Sequence, residues 1–224
     1  MKARRVVFWS LCVAGLYVLV GTFLHQVAFP VPAIAPSLLP RAGDSVYNHL
    51  SGERLVFRQT HTDTDGEYWE ADFFLDPHGA AQGEHVHAEA EEYFRGVEGV
   101  LTLSLDGNAR ELLPGETVVV PPGTPHRPFN NSEQTVHVIA GGRPARHFDL
   151  CLIQTWGLFM KADQKEPGLI PLLPFLSTVD CDVFPAGIPV GVARTLRLLV
   201  APAARVVGFS GFGPAYDARS GRHP

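Results

Sequence analysis

The segment Gly79–Gly99, GAAQGEHVHAEAEEYFRGVEG, decides how this chain folds. His85-Val86-His87 lies at its centre. Side chains alternate along a strand, so imidazoles at i and i+2 share a face. Alone, such a pair is more readily a surface feature than a pair of ligands. Glu92 comes five residues after His87. In one unbroken strand that odd spacing would put it on the opposite face. The polar stretch Ala88-Glu89-Ala90-Glu91 can bend the chain and return Glu92 on a neighbouring strand. Alternation then chooses between the two adjacent glutamates. Glu91 aligns with Tyr93 and Arg95, a polar outer face, and Glu92 with Phe94 and Gly96, an inner one.

A second stretch, Gly115–Asn130, reads GETVVVPPGTPHRPFN. Pro121-Pro122-Gly123-Thr124-Pro125 is a rigid turn in which Gly123 is free to take positive φ. It ends a strand over Thr117–Val120 and returns the chain at His126. A rigid turn beside a ligand fixes the imidazole before any metal arrives.

Outward from these segments the pattern stays that of strands. Leu55–His61 and Glu67–Leu75 flank Asp63-Thr64-Asp65-Gly66. Val100–Leu105 and Ala109–Leu113 flank Asp106-Gly107-Asn108. Asp-Gly between apolar runs signals a hairpin, and Gln134–Ala140 adds a further strand. Nineteen Pro and 22 Gly suit short strands and turns better than long helices. No internal repeat is visible, which predicts one barrel.

The marked positions of both segments resemble the two motifs of the cupin superfamily. Gly79, His85, His87, Glu92 and Gly99 resemble the first, and Gly115, Pro121, Gly123, His126 and Asn130 the second. The short stretch Val100–Pro114 between them is similar to that of compact microbial cupins. The resemblance implies an all-β jelly-roll barrel. It further implies a metal held inside by His85, His87, Glu92 and His126, with Glu92 as the catalytic carboxylate. Gly99 and Gly115 are expected to serve turns and Asn130 to support a loop. Phe73, Phe94, Val118 and Val120 are expected to line the core or a substrate pocket. His61, His78 and His137 are expected on strand surfaces or in the core. Asn130-Asn131-Ser132 also forms a glycosylation sequon, for which chance is the simpler explanation.

Three neutral imidazoles and a carboxylate suit a divalent transition metal, Fe or Mn first, with Ni, Cu or Zn also accommodated. An octahedral ion with four protein ligands would keep two positions open for a small molecule. The reactions implied by the resemblance are oxygenolytic cleavage, isomerisation, decarboxylation and superoxide dismutation. A metal-dependent oxidoreductase of dioxygenase type acting on a small organic substrate is the first expectation. A membrane-tethered binding or sensing protein without turnover is the second, and an isomerase or lyase the third. By resemblance a homodimer is expected.

The amino end carries a different signal. Val6–Leu24 is an apolar run of 19 residues, about 28 Å as a helix and close to the thickness of a bilayer core. Lys2, Arg4 and Arg5 precede it, and no further Lys or Arg occurs before Arg41. The positive-inside rule then predicts a single-pass anchor with the rest of the chain on the extracytoplasmic side. A cleaved signal peptide would usually have a shorter apolar region, and a buried soluble helix is the third reading. Organisation follows as anchor 1–24, Pro-rich spacer 25–43 expected to be extended and semi-stiff, cupin domain 44–142 and helical extension with tail 143–224.

Within the extension, His147–Lys161 has one apolar helical face. Leu169–Leu176 is apolar but broken by Pro171 and Pro174. In Val190–Val207, Arg194, Arg197 and Arg205 fall within an arc of about 80°, which predicts an amphipathic helix interrupted or kinked at Pro202. Packing on the barrel is the expectation, ahead of lying on the membrane. The tail Gly208-Phe209 with Tyr216 also resembles the extension of many bacterial cupins. Cys12, Cys151 and Cys181 are the only cysteines. Buried free thiols are expected ahead of a Cys151–Cys181 disulfide. A net charge of −5 without a basic patch argues against nucleic acid as a partner.

Overall fold

The computed structural model describes residues 2–28, 33–81, 83–163, 178–206 and 211–219. The apolar amino-terminal run is helix α1, Lys2–Phe23. It is long and apolar enough to cross a membrane, and almost none of it is buried against the rest of the chain.

Ten strands follow. They are β1 (Ser45–Asn48), β2 (Glu53–Gln59), β3 (Trp69–Leu75), β4 (His85–Val86), β5 (Glu91–Glu98), β6 (Leu101–Leu105), β7 (Asn108–Leu112), β8 (Thr117–Val120), β9 (His126–Phe129) and β10 (Val136–Arg143). Among the described residues, the helix α2 (Phe148–Ala162), a short strand β11 (Phe184–Pro185) and the helix α3 (Val190–Val206) come next. One sheet runs β1-β2-β3-β10-β5-β8 and the other β11-β4-β9-β6-β7. Every pairing is antiparallel.

Local chemistry accounts for the turns. Asp106 and Gly107 both take positive φ, 48° and 76°, which gives β6 and β7 the two-residue hairpin expected of Asp-Gly. Asp65 and Gly66 also take positive φ, 51° and 82°, within the longer loop 60–68 between β2 and β3. Alternation then points Leu55, Phe57, Phe73, Leu75, Phe94, Leu101, Leu103, Val118, Val120 and Val138 into one apolar core shared by both sheets.

Four expectations are corrected. The sheets do not close into a barrel: they form a two-sheet sandwich, because β8 and β7 end their sheets without pairing to one another. The extension is not wholly helical, because β11 pairs with β4, placing Phe184 opposite Val86 and Pro185 opposite His85. Cys151 and Cys181 are joined as a disulfide, since α2 and the segment before β11 bring both sulfurs into one buried apolar cluster. The Pro-rich spacer is not simply extended. It opens with a π-helical turn at Leu24–Ala28 and has a 3-10 turn at Pro36–Leu38 with Leu38 buried. The buried Arg219 guanidinium fastens this stretch to the domain. It donates to the carbonyls of Ser37 and Leu39 and pairs with Asp44 and Asp217.

Helix α3 runs unbroken through Pro202. Arg197 is buried, donates to the carbonyl of Val183 and lies 4.2 Å over the ring of Phe184. Arg194 pairs with Glu89. This end of the helix therefore packs on the domain. Farther along, the Tyr17 hydroxyl of α1 donates to the Leu199 carbonyl. Leu169–Leu176, Gly208, Phe209 and the side chain of Arg205 lie outside the described residues.

Candidate metal centre

Two strands of one sheet and one strand of the other converge on a cluster of four side chains. His85 on β4 lies directly opposite His126 on β9. His87 follows β4 by one residue. Glu92 enters from β5, opposite Val120 of β8. The bend after His87 thus carries the chain across to the facing sheet rather than to an adjacent strand. One donor atom from each of the four lies within 4.8 Å of the others. His87, Glu92 and His126 are buried, whereas His85 keeps partial exposure. Glu91 points the other way and pairs with Arg143.

Backbone carbonyls set the imidazole tautomers. His85 Nδ1 lies 3.3 Å from the Gly83 carbonyl, His126 Nδ1 2.9 Å from that of Thr124, and His87 Nδ1 2.9 Å from that of Asp182. A carbonyl only accepts, so Nδ1 must carry the hydrogen in each ring. A neutral imidazole then keeps its lone pair on Nε2. His126 Nε2 donates to Glu92 Oε2 at 2.7 Å, and His87 Nε2 is 3.6 Å from the same oxygen. His87 Nε2 is buried without a hydrogen-bond partner. An orphaned buried nitrogen costs stability unless something occupies its lone pair. A metal ion does so, and three imidazole nitrogens with a carboxylate are a donor set of the right chemistry.

Electrostatics in the metal-free cluster follow from the same contacts. Desolvation opposes charge on Glu92, yet the hydrogen bond from His126 and the nearby His87 imidazole win and hold its carboxyl well below the ordinary range. Desolvation also opposes charge on His126, but Glu92 outweighs it and raises the imidazole above its ordinary value. His85 is pushed down to about 3, by desolvation first and then by His126 and His87. One proton is therefore shared along His126–Glu92 while His85 stays neutral.

The turn 121–125 is tied to the cluster. Gly123, at φ 78°, donates its N–H to the His87 carbonyl at 2.6 Å. Asp106 N–H donates to the Pro125 carbonyl at 2.8 Å. Asn130 is buried, and its amide nitrogen donates to the carbonyls of Leu75, Asp76 and Gln134. Gly79 has no room for a side chain, since a Cβ would meet the Asp76 carbonyl oxygen at 2.9 Å. Gly99 and Gly115 take positive φ at turns.

Other expected residues lie elsewhere. Phe73, Phe94, Val118 and Val120 are buried in the shared core. None of them lines the cavity of about 10 Å³ beside His87, whose walls include Trp69, Glu92, Phe148, Cys181 and Asp182. That volume is about one water. His61 pairs with Asp149, His78 with Glu133 and His137 with Asp72.

Asp182 was missed by sequence reasoning. Besides the bond from His87, its carboxylate accepts the N–H groups of Ala88, Glu89 and Ala90 at 3.1, 2.9 and 2.7 Å. The ring of Phe148, stacked on Trp69, meets His87 edge-on with centroids 5.2 Å apart. The one available signal was the neighbouring Cys181.

Residues 72–141 match the family model described as "Cupin domain". The chain carries a cupin domain. Among solved structures, the cupin chain is similar to KdgF from Halomonas sp., at 22% identity over 42% of this chain and 81% of that one, with a TM-score of 0.38. A sugar phosphate isomerase from a cupin superfamily of Silicibacter pomeroyi is 21% identical over 50% and 75%, with a TM-score of 0.38. The polyketide cyclase RemF from Streptomyces resistomycificus is 20% identical over 51% and 80%, again at 0.38. No curated protein matches the sequence.

Proposed function

We propose that this cupin binds a divalent transition metal through His85, His87, Glu92 and His126. We read it as a metal-dependent oxidoreductase of dioxygenase type acting on a small organic molecule. The observation that carries the metal reading is the buried, partnerless Nε2 of His87 beside three further inward donors. When bound, the ion supplies Lewis-acid or redox chemistry, and the donor set favours Fe or Mn. The chain's own part is to orient and to exclude water. Carbonyls hold each Nε2 inward, Trp69 and Phe148 wall the centre, and the Glu92 carboxylate accepts a hydrogen bond from His126 Nε2. His85, the partly exposed ligand, marks the side from which a small molecule reaches the centre.

The reading includes tethering by α1 with the domain on the extracytoplasmic side. The Cys151–Cys181 disulfide supports it, since such bonds persist in oxidising compartments. Oxygen uptake by iron- or manganese-loaded protein, with flavonols, catechols and β-diketones as substrates, tests the reaction. No consumption across the panel would sink the dioxygenase reading. A second reading, binding or sensing without turnover, is favoured by the apolar helix α1, which is long enough to tether the domain to a membrane. It predicts a retained ligand and no product, whereas turnover without oxygen would indicate an isomerase or lyase.

A further inference from the structure

We infer that the carboxy-terminal extension completes the metal centre through Asp182, and that the Cys151–Cys181 disulfide keeps it there, so metal retention depends on the redox state of that pair. The inference rests on the metal reading above. Asp182 serves the centre twice. Its carbonyl fixes the Nδ1–H of His87, and its carboxylate gathers the N–H groups of residues 88–90. Those residues form the bend between the ligands His87 and Glu92, so one aspartate sets the relative position of two ligands from opposite sheets.

The residue is held with little slack. Asp182 is buried and takes φ 47°, a left-handed conformation uncommon for a residue other than glycine. Cys181, the next residue along the chain, is fully buried and bonded to Cys151 on α2. Ile153 and Trp156 of that helix sit in the shared core. The disulfide therefore anchors Asp182 to the body of the domain. On the other side the segment is held by the two-residue strand β11 and by the bond from Ala186 N–H to the Glu84 carbonyl. Reduction by an external dithiol transfers two electrons and two protons, leaves two thiols and converts the dithiol to its own disulfide. The covalent anchor beside Asp182 is then gone, while the ligands themselves are chemically unchanged.

Asp182 is a positioning residue, because it touches the ligands rather than the ion. Outer partners of metal-bound histidines typically change affinity 10- to 100-fold when removed. The test is Mn(II) titration of the detergent-purified full chain, with electron paramagnetic resonance of the bound ion. Asp182→Ala keeps the backbone carbonyl on His87 and removes the carboxylate that gathers the N–H groups of residues 88–90, so Mn(II) affinity should fall toward the lower end of that range, about 10-fold, and its spectrum should broaden. Asp182→Asn, which keeps an accepting oxygen, should recover part of the loss. Wild type reduced and then freed of reductant under argon should weaken similarly and recover on reoxidation. Cys151→Ser should be weak from the start and indifferent to reductant. Unchanged affinity and spectrum in Asp182→Ala and in reduced wild type, while His87→Ala loses the ion, would overturn this inference alone. Failure of oxidised wild type to bind Mn(II), Fe(II), Co(II), Ni(II), Cu(II) or Zn(II) would overturn it together with the metal reading. Loss of the circular dichroism spectrum on reduction would also overturn it, by making the disulfide a staple of the whole fold.

Discussion

His126 Nε2 and Glu92 Oε2 meet at 2.7 Å across the gap between the two sheets. Each residue needs the other in the metal-free protein. The carboxylate raises the imidazole against the pull of desolvation, and the imidazole lowers the carboxyl against the same pull.

Metal binding near neutral pH should release a proton. His126 is held protonated above its ordinary 6.5, and an ion needs its Nε2 lone pair. Titration calorimetry in buffers of different ionisation enthalpy measures that release, and the same heat in every buffer would contradict the shared proton. For the metal-free domain the signs are opposite for the two partners. The raised imidazole stabilises fully below about pH 6.5, and its contribution is lost as pH rises through the folded value. The lowered carboxyl stabilises above about pH 4.5 and loses its contribution as pH falls. The pair should therefore contribute most between those two values.

His87→Ala should abolish stoichiometric metal, since the backbone around the vacated position is tied down by the bond between the His87 carbonyl and Gly123 N–H. His137→Ala, on a strand face paired with Asp72, should leave metal content unchanged. Elemental analysis of both variants decides; a full complement of ion in His87→Ala would rule this ligand out.

Glu53→Gln should stabilise the domain at neutral pH and do little at pH 4. Desolvation raises the buried Glu53 carboxyl from 4.5 to about 8, against hydrogen bonding from Ser51 and the charge of Arg127. A folded value above the unfolded one means that stability falls as pH climbs from about 4.5 to 8. The neutral amide removes that loss, roughly 1–3 kcal/mol at pH 7. Urea melts at pH 4 and pH 7 measure it, and equal effects at both would refute the assignment.

The chain should resist alkaline carbonate extraction from membranes, and removal of residues 1–28 should release it. Protease added to spheroplasts of a bacterial host should reach the cupin domain. A domain protected until lysis would reverse the orientation taken from Lys2, Arg4 and Arg5.

Much of the centre was legible in residues close together in the chain. Parity along a strand separated Glu92 from Glu91, and the structure buries the first while leaving the second on Arg143. The strand over Thr117–Val120 has the expected ends because two prolines stop it. By contrast, β1 and β9 were passed over. Ser45–Asn48 and His126–Phe129 are short and mix polar or proline residues with apolar ones, so neither shows a clear period of two.

Residue order alone determined the local geometry: which imidazoles share a face, where Asp-Gly turns the chain, and how long the apolar amino-terminal helix runs. Those properties depend on alternation, φ preferences and hydropathy, all set within a few neighbours. Tertiary structure alone decided that the sheets stay open, that Cys151 finds Cys181, and that Asp182 reaches back 95 positions to hold His87. Contacts of that span follow the path of the whole chain through space, and no periodicity or short motif encodes a path.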